Sequence, residues 1–96
     1  MTHNALAGDV TGKITKLKVR NDGLHWVFIA GTNSNLPACS IYGGFAVKDE
    51  NTTYGKSQFS MLVTAFATGK DVSILGNNVC TRYSSLEDIS AIQFTE

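Results

Sequence analysis

Charge is scarce in this chain, and what there is cancels. Only 17% of the 96 residues are charged, and eight Lys and Arg face eight Asp and Glu for a formal net charge of zero. Such a balance removes any general attraction to phosphate backbones or anionic membranes. No apolar run approaches the ~20 residues that a helix needs to cross a bilayer, so membrane insertion is not expected. Histidine is limited to His3 and His25, and cysteine to Cys39 and Cys80, with no spacing among them that resembles a zinc site. A phosphate loop, a dinucleotide fingerprint and a nucleophile elbow are all missing. Glu87 and Asp88 are adjacent carboxylates in a stretch that reads as a loop, where neighbours diverge; a solvated or capping role is expected of them. No metal, no cofactor and no catalysis are therefore expected.

Ninety-six residues suffice for one domain and are too few for two. Without repeats, linkers or low-complexity tracts, residues 1–96 read as a single unit. Two cysteines in a small chain rich in Ser, Thr and Asn suit one disulfide in an exported protein. Two buried, unpaired thiols in a cytosolic domain are the alternative. The start, MTHNALAGDV, has neither a basic head nor an apolar core and so shows no signal peptide; a reading as an exported chain takes Met1 as an initiator placed before the mature sequence.

The clearest element lies between Tyr54 and Leu75. Phe59, Leu62, Val63 and Phe66 recur at i, i+3, i+4 and i+7, which predicts one amphipathic helix with those side chains on its buried face. Met61 and Ala65 extend that face toward a second flank, which suits contact with neighbouring helices in an assembly. Ser57 is the expected N-cap, and Gly69 the stop, where positive φ is tolerated. Val72 to Leu75 then alternates as a strand.

The rest is β in character. In Val10–Arg20, Val10, Gly12 and Ile14 share one parity while Leu17 and Val19 share the other, so the strand changes its buried face through a bulge or a coil in which Gly12 takes part. Asn21-Asp22-Gly23 is a hairpin turn. Leu24–Ala30 returns as a central strand, apolar on both faces, and Gly31–Pro37 is a loop. Ala38–Val47 forms a third strand region broken at Gly43-Gly44, and Lys48–Thr53 leads into the helix. After Val72–Leu75 come the turn Gly76-Asn77-Asn78, a loop through Arg82–Asp88, and a last strand, Ile89–Phe94, with Ile92 and Phe94 opposite Ile89 and Ala91. Three strands, one helix and two more strands, the first strand strongly coiled, predict a mainly β domain with one α-helix: the OB-fold, a five-stranded Greek-key barrel.

Several side chains carry two readings. Trp26, the sole tryptophan, is core or a ligand platform. Tyr42, Tyr54 and Tyr83 stack on sugar rings, fill a subunit interface, or pack the barrel ends. Lys13, Lys16, Lys18 and Arg20 line the first strand, either as an anion contact or as lysines that guard an edge strand from mispairing.

Short stretches of the chain resemble a known family. VFIAG at 27–31, PACS at 37–40, ATGKDVSI at 67–74 and VTGKIT at 10–15 are similar to the binding subunits of subtilase cytotoxin and of the typhoid-toxin group, over roughly residues 8 to 80. The resemblance implies an OB barrel assembled into a homopentameric ring, secreted, that recognises host glycans beside its first strand and can accompany a catalytic A-type subunit. A hydroxyl there contacts a sialic acid carboxylate; Thr11 stands where the family has serine, with Asp9 and Lys13 as neighbours. Together with Tyr42 and Tyr83 these form the candidate glycan-binding set. The family pairs a cysteine of its second strand with the A-C-S cysteine. Here WVFIA has none, so Cys39 pairs with Cys80 or stays free, and the tail beyond Cys80 is unlike the family's. Two alternatives of other classes are an OB-fold that binds single-stranded nucleic acid and a ligand-free structural assembly domain.

Overall fold

The computed structural model describes residues 7–95; His3 and the start of the chain lie outside the described residues. Its elements are β1 (Asp9–Val19), β2 (His25–Ala30), β3 (Phe45–Ala46), α1 (Thr53–Thr68), β4 (Val72–Gly76) and β5 (Glu87–Phe94). The strands close into a barrel in the order β1-β2-β3-β5-β4. β3 and β5 run parallel and every other pair is antiparallel. This is the OB-fold order. No described helix is long and apolar enough to cross a membrane.

β1 changes its buried face as its parity requires. Val10 and Ile14 are buried, the pairing with β2 slips between Ile14 and Lys16, and beyond the slip Leu17 packs on the core. The extra residue is Thr15, so Gly12 is not the bend. Gly12 serves a close approach instead: a Cβ there would stand 1.9 Å from the Ala30 carbonyl oxygen. β4 pairs β1 over Asp9–Gly12 alone, while β2 accompanies it from Lys13 to Val19.

β2 buries one face in the barrel and only half covers the other, short of the two buried faces expected. Val27 points into the barrel, while Leu24, just before the strand, joins Ala46 and Leu86 in a second apolar cluster outside it, with Trp26, Phe28 and Tyr83 packed against that cluster. β3 is much shorter than expected, because Ala38–Gly44 turns repeatedly and Gly44 is pressed against the Phe28 ring, 2.8 Å from where a Cβ would stand. The last strand begins two residues earlier than expected. Glu87 and Asp88 belong to it and are fully buried, which corrects their reading as a solvated pair. A second irregularity, with Leu75 opposite Ala91 and Gly76 opposite Ile89, leaves Ser90 over. Ile89, Ile92 and Phe94 all reach the core in consequence, and only Ala91 of the expected pairings faces out.

α1 plugs the barrel. Its N-cap is Thr52, not Ser57: the Thr52 hydroxyl accepts the Gly55 N–H at 3.0 Å and donates to the Asp49 carbonyl at 2.8 Å. The buried face is Gly55, Gln58, Leu62 and Ala65. Phe59 is half-buried against the core, whereas Val63 and Phe66 are exposed, so the face is rotated from the one the large side chains mark. The physical reason is room. Small residues at 55 and 65 let the helix axis approach the strands, and Gln58 Nε2 donates to the Ser90 carbonyl. Ala65 is therefore core and not an outward flank.

Candidate functional site

The hairpin of β1 and β2 places cations directly opposite aromatics. Lys16 is registered with Phe28 and Lys18 with Trp26. The Thr15 bulge makes this possible, since without it Lys16 and Lys18 would share the inward parity of Ile14. Lys16 Nζ lies 5.4 Å from the Phe28 ring centre, Lys18 Nζ 5.3 Å from that of Trp26, and the Arg20 guanidinium 5.4 Å from that of Tyr83. Trp26 meets Phe28 and Tyr83 edge to face, at 5.8 and 6.4 Å. Each cation–π contact is worth about 0.5–1 kcal/mol at an exposed site, enough to orient a lysine without fixing it.

Lys16, Trp26, Phe28, Tyr42 and Tyr83 line one cleft of about 400 Å³. Trp26 and Phe28 form its floor on the sheet. Tyr42 and Tyr83 come from the two loops above it, β2–β3 and β4–β5, and the Cys39–Cys80 disulfide joins those loops across a sequence separation of 41. The loop-spanning disulfide is thus the pairing that the structure makes, and no described cysteine is free.

The charges around the cleft are unequal in their partners. Arg20 Nε and Nη2 donate to Asp22 at 3.2 and 2.5 Å. That fork, with the Leu24 N–H as a second donor, lowers the Asp22 carboxyl to about 2 and raises the guanidinium above its ordinary value. Arg82 is held by Glu50 and Lys13 by Asp71. Lys16 and Lys18 meet no carboxylate among the described residues. In a chain of zero net charge, the uncompensated positive charge on this face sits over aromatic rings.

The expected binding residues fall into two groups. Tyr42 and Tyr83 both line the cleft. Asp9, Thr11 and Lys13 form a separate exposed row on β1, before the bulge, and line neither of the cavities described here. Their polar groups are engaged locally: the Asp9 backbone pairs with Ser34, Thr11 Oγ1 donates to Ser73 Oγ at 3.0 Å, and Lys13 Nζ donates to Asp71 at 2.9 Å and to the Gly69 carbonyl at 2.8 Å. The cleft residues outside the expected set are Lys16, Trp26 and Phe28. Their signal is the alternation of 16, 18 and 20 against 26 and 28 across the Asn21–Gly23 turn.

A second cavity, of about 290 Å³, opens where α1 starts and is lined by His25, Glu50, Gly55, Lys56 and Phe59. Here Arg82 Nε donates to both oxygens of Glu50, at 2.9 and 3.1 Å, and His25 Nδ1–H donates to the Gly23 carbonyl at 2.6 Å. The Phe59 ring meets the imidazole edge to face. These contacts tie β2, the helix approach and the β4–β5 loop together, and Glu50 spends most of its acceptor capacity on them.

No family model matches the chain, and neither does any curated protein or solved structure.

Proposed function

We propose that this chain is a secreted, non-enzymatic binding subunit that recognises host cell-surface glycans, and that its contact surface is the aromatic cleft. The observation that carries this reading is the combination in one concave site of ring faces with the unpaired Lys16, beside Lys18 over the Trp26 ring. A pyranose presents a C–H face that packs on Trp26 or the tyrosines, and hydroxyls that bond to Tyr42 and Tyr83. Lys16 and Lys18 supply a partner for a sugar carboxylate, which fits the sialylated glycans that the toxin-subunit resemblance implies. The disulfide supports an oxidising compartment. One such site binds weakly; a homopentamer, with or without a catalytic A-type subunit on it, gains avidity by presenting several sites on one face.

Single-stranded nucleic acid is a second reading of the same cleft, since cations interleaved with aromatics are what such binders use. Zero net charge and the disulfide weigh against it. The test is a glycan array with sialylated and neutral members, run on the wild type, Trp26→Ala and Thr11→Ala, with a labelled oligonucleotide as a parallel probe. Loss of sialylated-glycan binding in Trp26→Ala but not in Thr11→Ala supports the cleft. The reverse moves the site to the β1 row. Binding of the oligonucleotide alone replaces the reading, and silence on both probes leaves a structural assembly domain. Light scattering of the same samples reads the ring directly as a mass near five chains.

A further inference from the structure

The two loops over the cleft are fastened very differently. The β4–β5 loop is bolted to the barrel. Asn77 N–H donates to the Asp88 carbonyl, Asp88 N–H to the Val79 carbonyl, and Asn78 N–H to Glu87 Oε2 at 2.7 Å. The buried Asp88 carboxylate accepts the N–H groups of Thr81 and Arg82 at 3.0 and 3.1 Å and the Thr81 hydroxyl. Arg82 is pinned to Glu50. Tyr83 thus stands on a rigid support.

Tyr42 does not. Ser34 ties the base of its loop to Asp9, but from Pro37 to Gly43 the hydrogen bonds turn inward: Ser40 N–H to the Pro37 carbonyl, Ile41 N–H to the Cys39 carbonyl, and Asn33 Nδ2 to the Gly43 carbonyl. Ser40 Oγ is buried without a partner. Ile41 and Tyr42 are 67% and 59% exposed, so apolar burial holds them little. What joins this segment to the rest of the protein is the bond from Cys39 to Cys80.

We propose that the Cys39–Cys80 disulfide is a redox gate on the cleft: its reduction frees the Tyr42 jaw while the Tyr83 jaw and the barrel stay in place. The reductant is a dithiol, small or carried by an oxidoreductase. One thiolate attacks a sulfur of the half-buried cystine and forms a mixed disulfide, and the second thiol displaces it. The cystine takes up two electrons and two protons to become two thiols, and the dithiol becomes a disulfide. That the open cleft then loses a glycan rests on the function proposed above; the release of the loop does not.

Hydrogen exchange read by mass spectrometry on the full chain tests it, oxidised against dithiothreitol-reduced, with Cys39→Ser as a reductant-free counterpart. The expected result is exchange at least tenfold faster over residues 38–44, with residues 77–88 and the strands unchanged. Equal loosening of both loops, no change in either, or loss of protection throughout the barrel overturns the gate. Titration with sialyllactose on the same samples reads the consequence: affinity at least tenfold weaker after reduction is expected, and equal affinity in both states overturns the gating of binding. If the oxidised protein ignores this sugar, the glycan reading fails while the exchange data still decide the gate.

Discussion

Replacing Glu87 with alanine should cost the barrel about 2–4 kcal/mol, a large loss for a side chain that touches no ligand surface. Glu87 is fully buried, and its Oε2 accepts the Gly8 N–H at 3.0 Å and the Asn78 N–H at 2.7 Å. Glycine is required on both sides of it: a Cβ at Gly76 would stand 2.1 Å from the Glu87 carboxyl carbon, and one at Gly8 2.2 Å from Oε1. Truncation strands two backbone donors at roughly 1–3 kcal/mol each and leaves a void where the carboxylate stood. Against this, Oε1 has no partner among the described residues, so the native state already bears an unsatisfied buried oxygen whose removal returns part of the loss. Glu87→Gln separates the two contributions. One amide oxygen can still accept both N–H groups, although the NH2 lies unpaired where Oε1 stood, so glutamine should cost about 1 kcal/mol less than alanine. Urea unfolding at pH 7, followed by Trp26 fluorescence and extrapolated to water, reads both variants. Alanine within about 1 kcal/mol of wild type, or glutamine as costly as alanine, would refute the account of Glu87 as the acceptor that fastens the chain's start to the β4–β5 turn.

Leu62→Ala should cost about 2–5 kcal/mol, because Leu62 is wholly inside the barrel, whereas Phe66→Ser should shift stability by about 0.5 kcal/mol or less; paired thermal melts check the rotated helix face. Asp22 titrates near 2 instead of near 3.8 because Arg20, and then the Leu24 N–H, bond its charged form. A carboxyl lowered in the folded state contributes stability above its unfolded pKa that is lost as pH falls through the folded one, so the turn should loosen between about pH 4 and 2. An NMR titration of Asp22 should move back toward 3.8 in Arg20→Ala. With Lys16 lining the cleft and Lys18 over the Trp26 ring, both without a carboxylate, affinity for an acidic glycan should fall with salt at a log–log slope no steeper than about −1.4, the value of about 0.7 per contact for two phosphate contacts on a single strand. Lys16→Ala should make it shallower, and isothermal titrations at several salt concentrations measure both.

How far residues alone can lead depends on whether a pattern reports its own surroundings. The coil of β1 is legible because the parity change from Ile14 to Leu17 is visible without knowing the partner strands. The closing helix is legible from its period and from Gly69, but its face is not. Phe59, Val63 and Phe66 are bulky apolar side chains of α1, yet a narrow barrel end accepts Gly55, Leu62 and Ala65. Size signals burial only where there is room for it. Glu87 and Asp88 mislead for a related reason: charge signals exposure unless donors are waiting, and here those donors are backbone N–H groups of loops distant in sequence. The cleft is half legible. Tyr42 and Tyr83 stand out as loop aromatics, but Lys16 and Lys18 join Phe28 and Trp26 only through a register that the Thr15 bulge sets.

Zero net charge does not describe the surface a ligand meets. Exposed charges act over about 8 Å at physiological salt, so what matters is which cations keep a carboxylate beside them. Lys13, Arg20 and Arg82 do, in Asp71, Asp22 and Glu50, and their fields largely close on themselves. Lys16 and Lys18 do not, and the partners they have are rings, which attract a cation without neutralising it. Two such lysines suffice for one anionic group lying on an aromatic floor; they do not make the long basic track that a polyphosphate backbone follows. The same local view explains the disulfide's position. The floor belongs to two paired strands and needs no further support, while the roof belongs to two loops, of which only one is anchored by buried carboxylates. A single cross-link between them turns an open aromatic face into a shaped cleft, and it does so at the point where the fold itself supplies least.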